Sequence, residues 1–535
     1  MKQRKPLFTI LKYAGIIAIA YFFTNPYYLF PDGQGYFSYL SSLFHDGDIQ
    51  LFNDFIQMRI QAPLALTSTG YISNNWPAGT AIFWAPFYLT AKFFAEEGLG
   101  NFNRWYWLFT SFGTIFYGML GFSLLHKILK AEGEKTGMAL LLVCLAFFGT
   151  PAFYYTFIIT STAHGITAFA ATLFIWYWLY SMNEPEKPWR YILLGTLLGL
   201  VTMVRPQEAL FGLVIPAEFI VRLVKRETGF AKVVKPAGLS ILGFIIGLSP
   251  QLILWHLING SIFAVPAKFN VSLKYFDIKN LLFSPYHGIL LWTPVYFTAF
   301  AGLIFGIFRK PKIYIGLVLV FIAQVVTNAC CIAFWEGYSF GLRQMTSLLP
   351  VAVLGIMEFI RTAYSKDIPC PIRKEDCKSG NPVVRVLAWA AVVVPALWTM
   401  GLVAGTYYGL DLLGYVSFRD LLHIQKTVLL GLAELPGKLL MIERPGFGEF
   451  TTMLIAGALF YWIALRIKAL MERRKLKAAA IVFFAMLIAF NIIIVRAHLN
   501  KPAYVIPQDQ VVTQQDMDNF FIKQVEEIKL KYGIR

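Results

Sequence analysis

Charge is what this chain has little of. Of its 535 residues only 14% are Asp, Glu, Lys or Arg, while 57% are hydrophobic, and the mean hydropathy is +0.59. A soluble domain carries about a quarter charged residues, so the scarcity excludes a disordered chain and a water-exposed globule. Cysteine is scarce too: five in this length imply no disulfide framework. No phosphate-cradling Gly-Lys-Ser loop and no His-Glu-x-x-His metal motif occurs. No internal repeat is visible, which disfavours a transporter built from two similar halves. Acidic residues are the scarcer sign, 30 against 47 basic, for a net charge of +17. That excess signals a nucleic-acid partner only if the basic residues are not confined to loops on one side of a bilayer.

Most of them are so placed. An apolar run needs roughly 20 residues to cross about 30 Å of hydrocarbon. The sequence predicts an all-α polytopic membrane protein with about 13 spans: 8–25, 105–128, 137–156, 163–181, 191–206, 209–223, 237–258, 287–307, 313–334, 343–360, 386–408, 450–467 and 478–496. The first run lacks a small-residue cleavage site and reads as a retained span. With the N-terminus cytoplasmic, the short inside loops hold 29 of the 47 basic residues, which is the positive-inside pattern. The C-terminus then lies outside. Cys370 and Cys377 fall in an inside loop, where a disulfide is not expected.

Two outside regions stand out. Residues 26–104 form a long loop whose apolar stretch 79–95 reads as an interfacial helix. Residues 409–449 form the second, and a polar tail follows from about 497. In the tail Thr513 and Asp516 form a capping box ahead of a face of Met517, Phe521, Val525 and Ile528, read as a helix docked on the outer membrane face. Three units follow: a catalytic module over 1–408, a loop with the last two spans over 409–496, and the tail over 497–535.

Polar groups at membrane depth are costly unless used, so the outer ends of spans are where chemistry is sought. Asp32, in Pro31-Asp32-Gly33-Gln34-Gly35-Tyr36, either caps a helix starting at Gly33 or Gly35 or serves as a base for a hydroxyl. Asp46 and Asp48 match Asp-x-Asp, a weak divalent-cation signal against a surface turn. Asn74-Asn75-Trp76-Pro77 opens the interfacial helix, with Trp76 as an anchor. Arg205, at a proline break beside Gln207 and Glu208, and Arg343, opening a span, either snorkel or bind a phosphate through their planar forks. His164 is either a satisfied structural residue or part of a site. Lys274 and Tyr275 precede the turn at 283–288 that carries His287, where backbone amides can face an anion. Glu336 and Tyr338 lie in the loop before Arg343.

Taken in order, these elements resemble the GT-C superfamily of polytopic glycosyltransferases. The branch is the one that includes the protein O-mannosyltransferases and the lipid A aminoarabinose transferase. The matching elements are Asp32 with Tyr36, SLFHDGDIQLFND (42–54), NNWPAGTAIFWAPFYL (74–89), VRPQ (204–207), FSPYHGILLWTP (283–294) and WEGYSFGLRQMTSLLP (335–350). They cover most of the first 360 residues, and nothing after about 410 matches. The resemblance implies a GT-C-like fold, a polyprenyl-phosphate-sugar donor and a catalytic carboxylate in the first outer loop, which Asp32 matches. The branch often has Asp-Glu there; this chain has Asp32-Gly33.

On that basis Asp32 would deprotonate an acceptor hydroxyl that attacks the anomeric carbon opposite the phosphate, inverting it. The phosphodiester donor releases polyprenyl phosphate as a stable anion, so a second carboxylate is less needed than in glycoside hydrolysis. Arg343, Arg205 and Lys274 are the expected phosphate-binding cations. Tyr36, His164, His287, Glu336, Tyr338 and Gln207 are expected to line the substrate site. No cofactor is expected, and a divalent metal at Asp46 and Asp48 is the disfavoured reading. The partners are the lipid-linked donor, a glycan, lipid or protein acceptor and membrane lipids, with no nucleic acid. A bacterial inner membrane with a periplasmic site is the expected location. The rival classes are a lipid-linked-sugar flippase and an inactive assembly subunit with the same fold.

Overall fold

The computed structural model describes residues 20, 23–27, 29–60, 63–95, 103–185, 187–264, 271–332, 339–364, 382–410, 414–441, 444–472, 476–500 and 506–532. They form an integral membrane protein that is almost entirely helical. Six helical segments are long and apolar enough to cross a membrane: Arg104–Ala131, Ala231–Asn259, Pro311–Ala329, Arg343–Tyr364, Pro382–Tyr408 and Ala480–Leu499. Four shorter apolar helices accompany them, Thr136–Gly149, Pro188–Val204, Val295–Arg309 and Phe447–Ile463.

Several of the 13 expected spans are divided or shortened, with local causes. The expected span 137–156 stops at Gly149 and gives way to a π-helical turn, Tyr154–Ile158. Span 209–223 opens as a 3-10 helix, Pro206–Leu213, because Pro206 cannot continue the helix before it. Span 287–307 is broken between Ile289–Trp292 and Val295–Arg309 at Pro294. Most of the first expected span, Cys370, Cys377, Glu336 and Tyr338 lie outside the described residues.

Helix Pro188–Val204 packs closely along helix Ala231–Asn259. Each carries a small-residue repeat, Gly195 with Gly199 and Gly243 with Gly247. A β-carbon on Gly195 would stand 2.0 Å from the Ser240 carbonyl oxygen, and one on Gly243 would stand 2.1 Å from that of Ile192. Backbones that approach this closely gain dispersion contacts that lipid tails cannot outcompete. Gly302 and Gly355 bring Val295–Arg309 and Leu349–Tyr364 together in the same way.

Among the described residues, parts of four predicted basic loops meet at one end of the bundle. Lys310 pairs with Glu132 at 2.6 Å, Arg361 with Glu134 at 2.6 Å and Lys312 with Glu227 at 2.5 Å. Arg190, fully buried, reaches Glu218 at 2.8 Å. Asp32, His164 and Arg205 stand at the helix ends of the opposite face.

The first outer loop has a core of its own. Helices Pro31–Ser41 and Gly79–Ala91 bury Phe37, Leu40, Trp84, Phe87 and Tyr88 against Phe109 and Phe112 of the long helix and Ile494 of the last one. Helix Gly79–Ala91 is packed among protein on most sides, with eight of its residues buried.

The tail docks on this loop. Val512–Thr513 pairs in parallel with Ala65–Leu66, and Met517 and Val525 of helix Gln514–Tyr532 are buried. The capping box forms: the Asp516 amide donates to Thr513 Oγ1 at 3.1 Å and the Thr513 amide to Asp516 Oδ2 at 3.3 Å. Backbone pairing draws the tail in because both short strands otherwise expose unpaired amides and carbonyls.

Candidate functional site

Asp32 is not a helix cap. The helix begins one residue earlier, at Pro31, with Phe30 as an N-cap that makes no side-chain bond. Proline suits that first position because its missing N–H would be unsatisfied there anyway. Asp32 therefore occupies the first turn, where the positive helix end favours its carboxylate. The Phe30 amide donates to Ser161 Oγ at 2.8 Å, fixing this entry against the Ala163–Ser181 helix.

Both carboxylate oxygens of Asp32 are engaged. Oδ2 accepts from the Arg343 guanidinium at 2.8 Å, across 311 positions of sequence. Oδ1 accepts from the Trp76 indole at 3.0 Å. The side chains of Arg343 and Asp32 keep 14% and 17% of their surface exposed, so the pair is reachable from outside. Trp76, expected as a membrane anchor, is buried instead. It reaches Asp32 because Gly35 has no side chain: a β-carbon there would fall 2.0 Å from the indole ring. Asn74 secures the arrangement, donating to the Gly35 carbonyl at 2.9 Å and accepting from the Trp76 amide at 3.0 Å.

Gly33 explains the absent second carboxylate. A β-carbon at this position would stand 2.2 Å from the Ser161 carbonyl oxygen, so a Glu has no room here. Asp32 is the acid that this packing admits.

Arg205 and His164 join the same cluster. The Arg205 guanidinium donates to His164 Nδ1 at 2.6 Å and to Gln207 Oε1 at 3.2 Å. A nitrogen that accepts from a guanidinium carries no proton, so His164 presents its Nδ1 lone pair to Arg205. Gln207 Nε2 continues to Gln324 Oε1 at 3.1 Å, and Gln324 Nε2 to Glu208 Oε2 at 2.8 Å. The Tyr155 ring lies 4.7 Å from that of His164, and its hydroxyl accepts from the Phe340 amide at 2.8 Å. Tyr36 completes the group. Burial pushes its phenol well above the ordinary range and Asp32 adds to this, while Arg205 and Arg343 pull the other way. It therefore stays a neutral hydrogen-bond donor at physiological pH.

Thus Asp32, Tyr36, His164, Arg205, Gln207 and Arg343 come together, and the contacts of four other expected residues are made elsewhere. Lys274 is exposed, its ammonium 5.6 Å over the Tyr275 ring. His287 is buried among other rings, tilted against Tyr286 at 4.3 Å and edge-on to Trp292 at 5.1 Å. Its φ of 64° holds it in the left-handed region, in the turn closed by the Gly288 amide on the Ser284 carbonyl. Asp46 and Asp48 build a turn: Asp48 Oδ1 accepts from Ser42 Oγ and the Gln50 amide, both at 2.9 Å, and Asp46 accepts from Asn53 at 2.9 Å. Among the described residues no three His, Cys, Asp or Glu side chains gather as metal ligands would. Trp76, Tyr155, Gln324 and Glu208 were not expected in the site. The sequence signal for Trp76 was its place in NNWP, next to a helix start.

The arrangement can hold an anion beside a carboxylate. Two guanidiniums stand within one cluster at the end of the bundle opposite the basic loops, and one of them leaves Asp32 free to accept a proton if an anion draws it away.

No family model matches the chain, and no curated protein matches it. Among solved structures it is similar to the crystal structure of ArnT from Cupriavidus metallidurans bound to undecaprenyl phosphate, with a TM-score of 0.42 and 13% identity over 85% of this chain and 78% of that one.

Proposed function

We propose that this protein is a membrane glycosyltransferase that moves a sugar from a polyprenyl-phosphate-linked donor to an acceptor hydroxyl on the outer face of a bacterial inner membrane. The observation that carries the reading is the Asp32–Arg343 pair at 2.8 Å, with Arg205 in the same hydrogen-bonded cluster. A base and two phosphate-binding groups drawn from distant parts of the sequence form one partly accessible site. The ordered motifs of the sequence support the same class.

In this reading the donor phosphodiester draws the Arg343 fork from Asp32 toward its own oxygens, and Arg205, steadied by His164 and Gln207, takes a second oxygen. Asp32, relieved of its counter-charge, becomes the stronger base. It takes the acceptor's hydroxyl proton as the oxygen attacks the anomeric carbon from the face opposite the phosphate. The anomeric C–O bond breaks, polyprenyl phosphate departs as an anion held by the two arginines, and the configuration inverts. The Trp76 indole and the helix N-terminus keep Asp32 aimed throughout.

Release of polyprenyl phosphate from labelled polyprenyl-phosphate hexoses, by protein in lipid nanodiscs with a membrane extract supplying acceptors, tests this. Wild type should release it and Asp32→Asn should not. Arg343→Gln should weaken donor binding and slow turnover by about 10²–10³, as for the loss of one preorganised electrostatic contact, and Arg343→Lys should recover part of it. Saturable donor binding with no release from any donor would overturn the enzymatic reading in favour of a flippase or an inactive subunit.

A further inference from the structure

Arg343 reaches Asp32 from the end of an irregular stretch. Residues 339–342 form neither helix nor strand, and Ser339, Phe340 and Leu342 are buried. Buried backbone groups need partners even where no ladder supplies them. For Phe340 one side chain supplies both. The Tyr155 hydroxyl accepts from the Phe340 amide at 2.8 Å and donates to the Phe340 carbonyl at 3.2 Å. The Tyr154 ring stacks on the Phe340 ring with centroids 4.6 Å apart, and the Trp292 indole stands edge-on to it at 5.3 Å. The chain then reverses at Gly341, whose φ of 58° lies in the left-handed region. The Arg343 amide closes the turn on the Gly341 carbonyl at 3.0 Å. Fixing Phe340 therefore fixes where Arg343 begins.

Tyr155 is itself held. It lies in the π-helical turn Tyr154–Ile158, a kind of turn frequent at functional sites. Its amide donates to the Pro151 carbonyl at 3.1 Å. Helix Ala163–Ser181 presses on it at Gly165, where a β-carbon would stand 2.8 Å from the Tyr155 carbonyl oxygen. On this side the Tyr155 ring lies against His164, the imidazole that accepts from Arg205. One residue thus spans from the Arg343 turn to the Arg205–His164 pair, with its hydroxyl on the first and its ring on the second.

We propose that Tyr155 is a positioning residue whose hydroxyl holds the turn 339–342, so that the Arg343 guanidinium meets Asp32 and the donor phosphate. Taking Arg343 as a phosphate ligand rests on the glycosyltransferase reading; the hold on its turn does not. Tyr155→Phe keeps the ring and its packing on His164 but takes the partner from a buried amide and a buried carbonyl, which is more damaging than the loss of an exposed hydrogen bond.

Two measurements on the full-length protein test this. In native mass spectrometry of detergent-solubilised protein titrated with polyprenyl phosphate, Tyr155→Phe should bind about tenfold more weakly than wild type, the size of one buried hydrogen bond. Because Tyr155 acts through Arg343, adding the change to Arg343→Gln should weaken binding by less than about twofold more, while adding it to Arg205→Gln should still weaken it about tenfold. In hydrogen–deuterium exchange without ligand, the amides of residues 340–343 should exchange about tenfold faster in Tyr155→Phe, with helix Leu349–Tyr364 unchanged. A general folding defect would instead speed exchange across the neighbouring helices and weaken binding equally in both backgrounds. Either of those results overturns the inference, as does wild-type affinity or wild-type exchange at 340–343. If wild type itself binds no polyprenyl phosphate, the glycosyltransferase reading fails at its donor, and the exchange data alone then uphold or overturn the hold of Tyr155 on the turn.

Discussion

Gly33 and Gly35 decide what Asp32 can do. One excludes a neighbouring carboxylate by contact with Ser161, and the other admits the indole that orients the remaining acid. Gly33→Ala should therefore displace the helix entry. Overpacking of this kind costs about 1–3 kcal/mol, and the thermal midpoint in detergent should fall together with transfer activity. Wild-type stability in Gly33→Ala would refute the crowding. The sequence displayed Asp32 and Arg343 as separate candidates, but not their pairing, since nothing local links residues 311 positions apart. Trp76 was misread for a related reason. An aromatic near an interface looks like an anchor until a glycine elsewhere opens a path to the acid.

Asp54 belongs to the same scale. It is buried in the outer loop and accepts from the Ser41 hydroxyl. Burial raises its pKa well above the ordinary aspartate value, and Asp46 and Asp48 add to the rise. For a carboxyl raised in the folded state, the unfolded chain ionises first. Stability is then unaffected below the unfolded pKa and falls as pH climbs from the ordinary aspartate range toward the raised value. Asp54→Asn should abolish that fall, measured as the thermal midpoint across pH 4 to about 7. An unchanged pH profile would show that Asp54 ionises freely.

At the scale of elements, the short strand Val512–Thr513 and helix Gln514–Tyr532 act on the first outer loop. Deleting residues 505–535 unpairs Ala65–Leu66 and uncovers Asn75, next to the Trp76 that holds Asp32. The expected result is a protein that binds lipid-linked donor normally but uses acceptor poorly, compared by donor affinity against product formation. Equal loss of both would assign the tail a purely structural role. The capping box and apolar face made this helix legible from sequence. Its docking partner was not, because a two-residue strand has no periodicity to detect. The glycine repeats at 195, 199, 243 and 247 were legible in principle, as small residues four apart on apolar helices mark close helix pairs.

At the scale of the whole molecule, the described parts of four loops counted as basic gather at one end, tied by Lys310–Glu132, Arg361–Glu134 and Lys312–Glu227. The Asp32 cluster sits at the other. The charge bias carried this much because it is summed over many loops, so errors in single span boundaries cancel. If the basic end is cytoplasmic, a cysteine introduced at exposed Ser68 in a cysteine-free background should react with a membrane-impermeant maleimide on intact spheroplasts. One at Glu184 should react only after lysis. The reverse pattern would invert the orientation and move the site to the cytoplasmic side.

The strand pairing of residues 65–66 with 512–513 also sets an order of events in time. The loop that bears Asp32 leaves the ribosome early, while its partner strand is made hundreds of residues later. Through most of synthesis that loop must wait with one backbone edge unmatched, exposed to pairing with other chains. The protein would thus mature only when residues 512–513 have been made and have closed over its first loop.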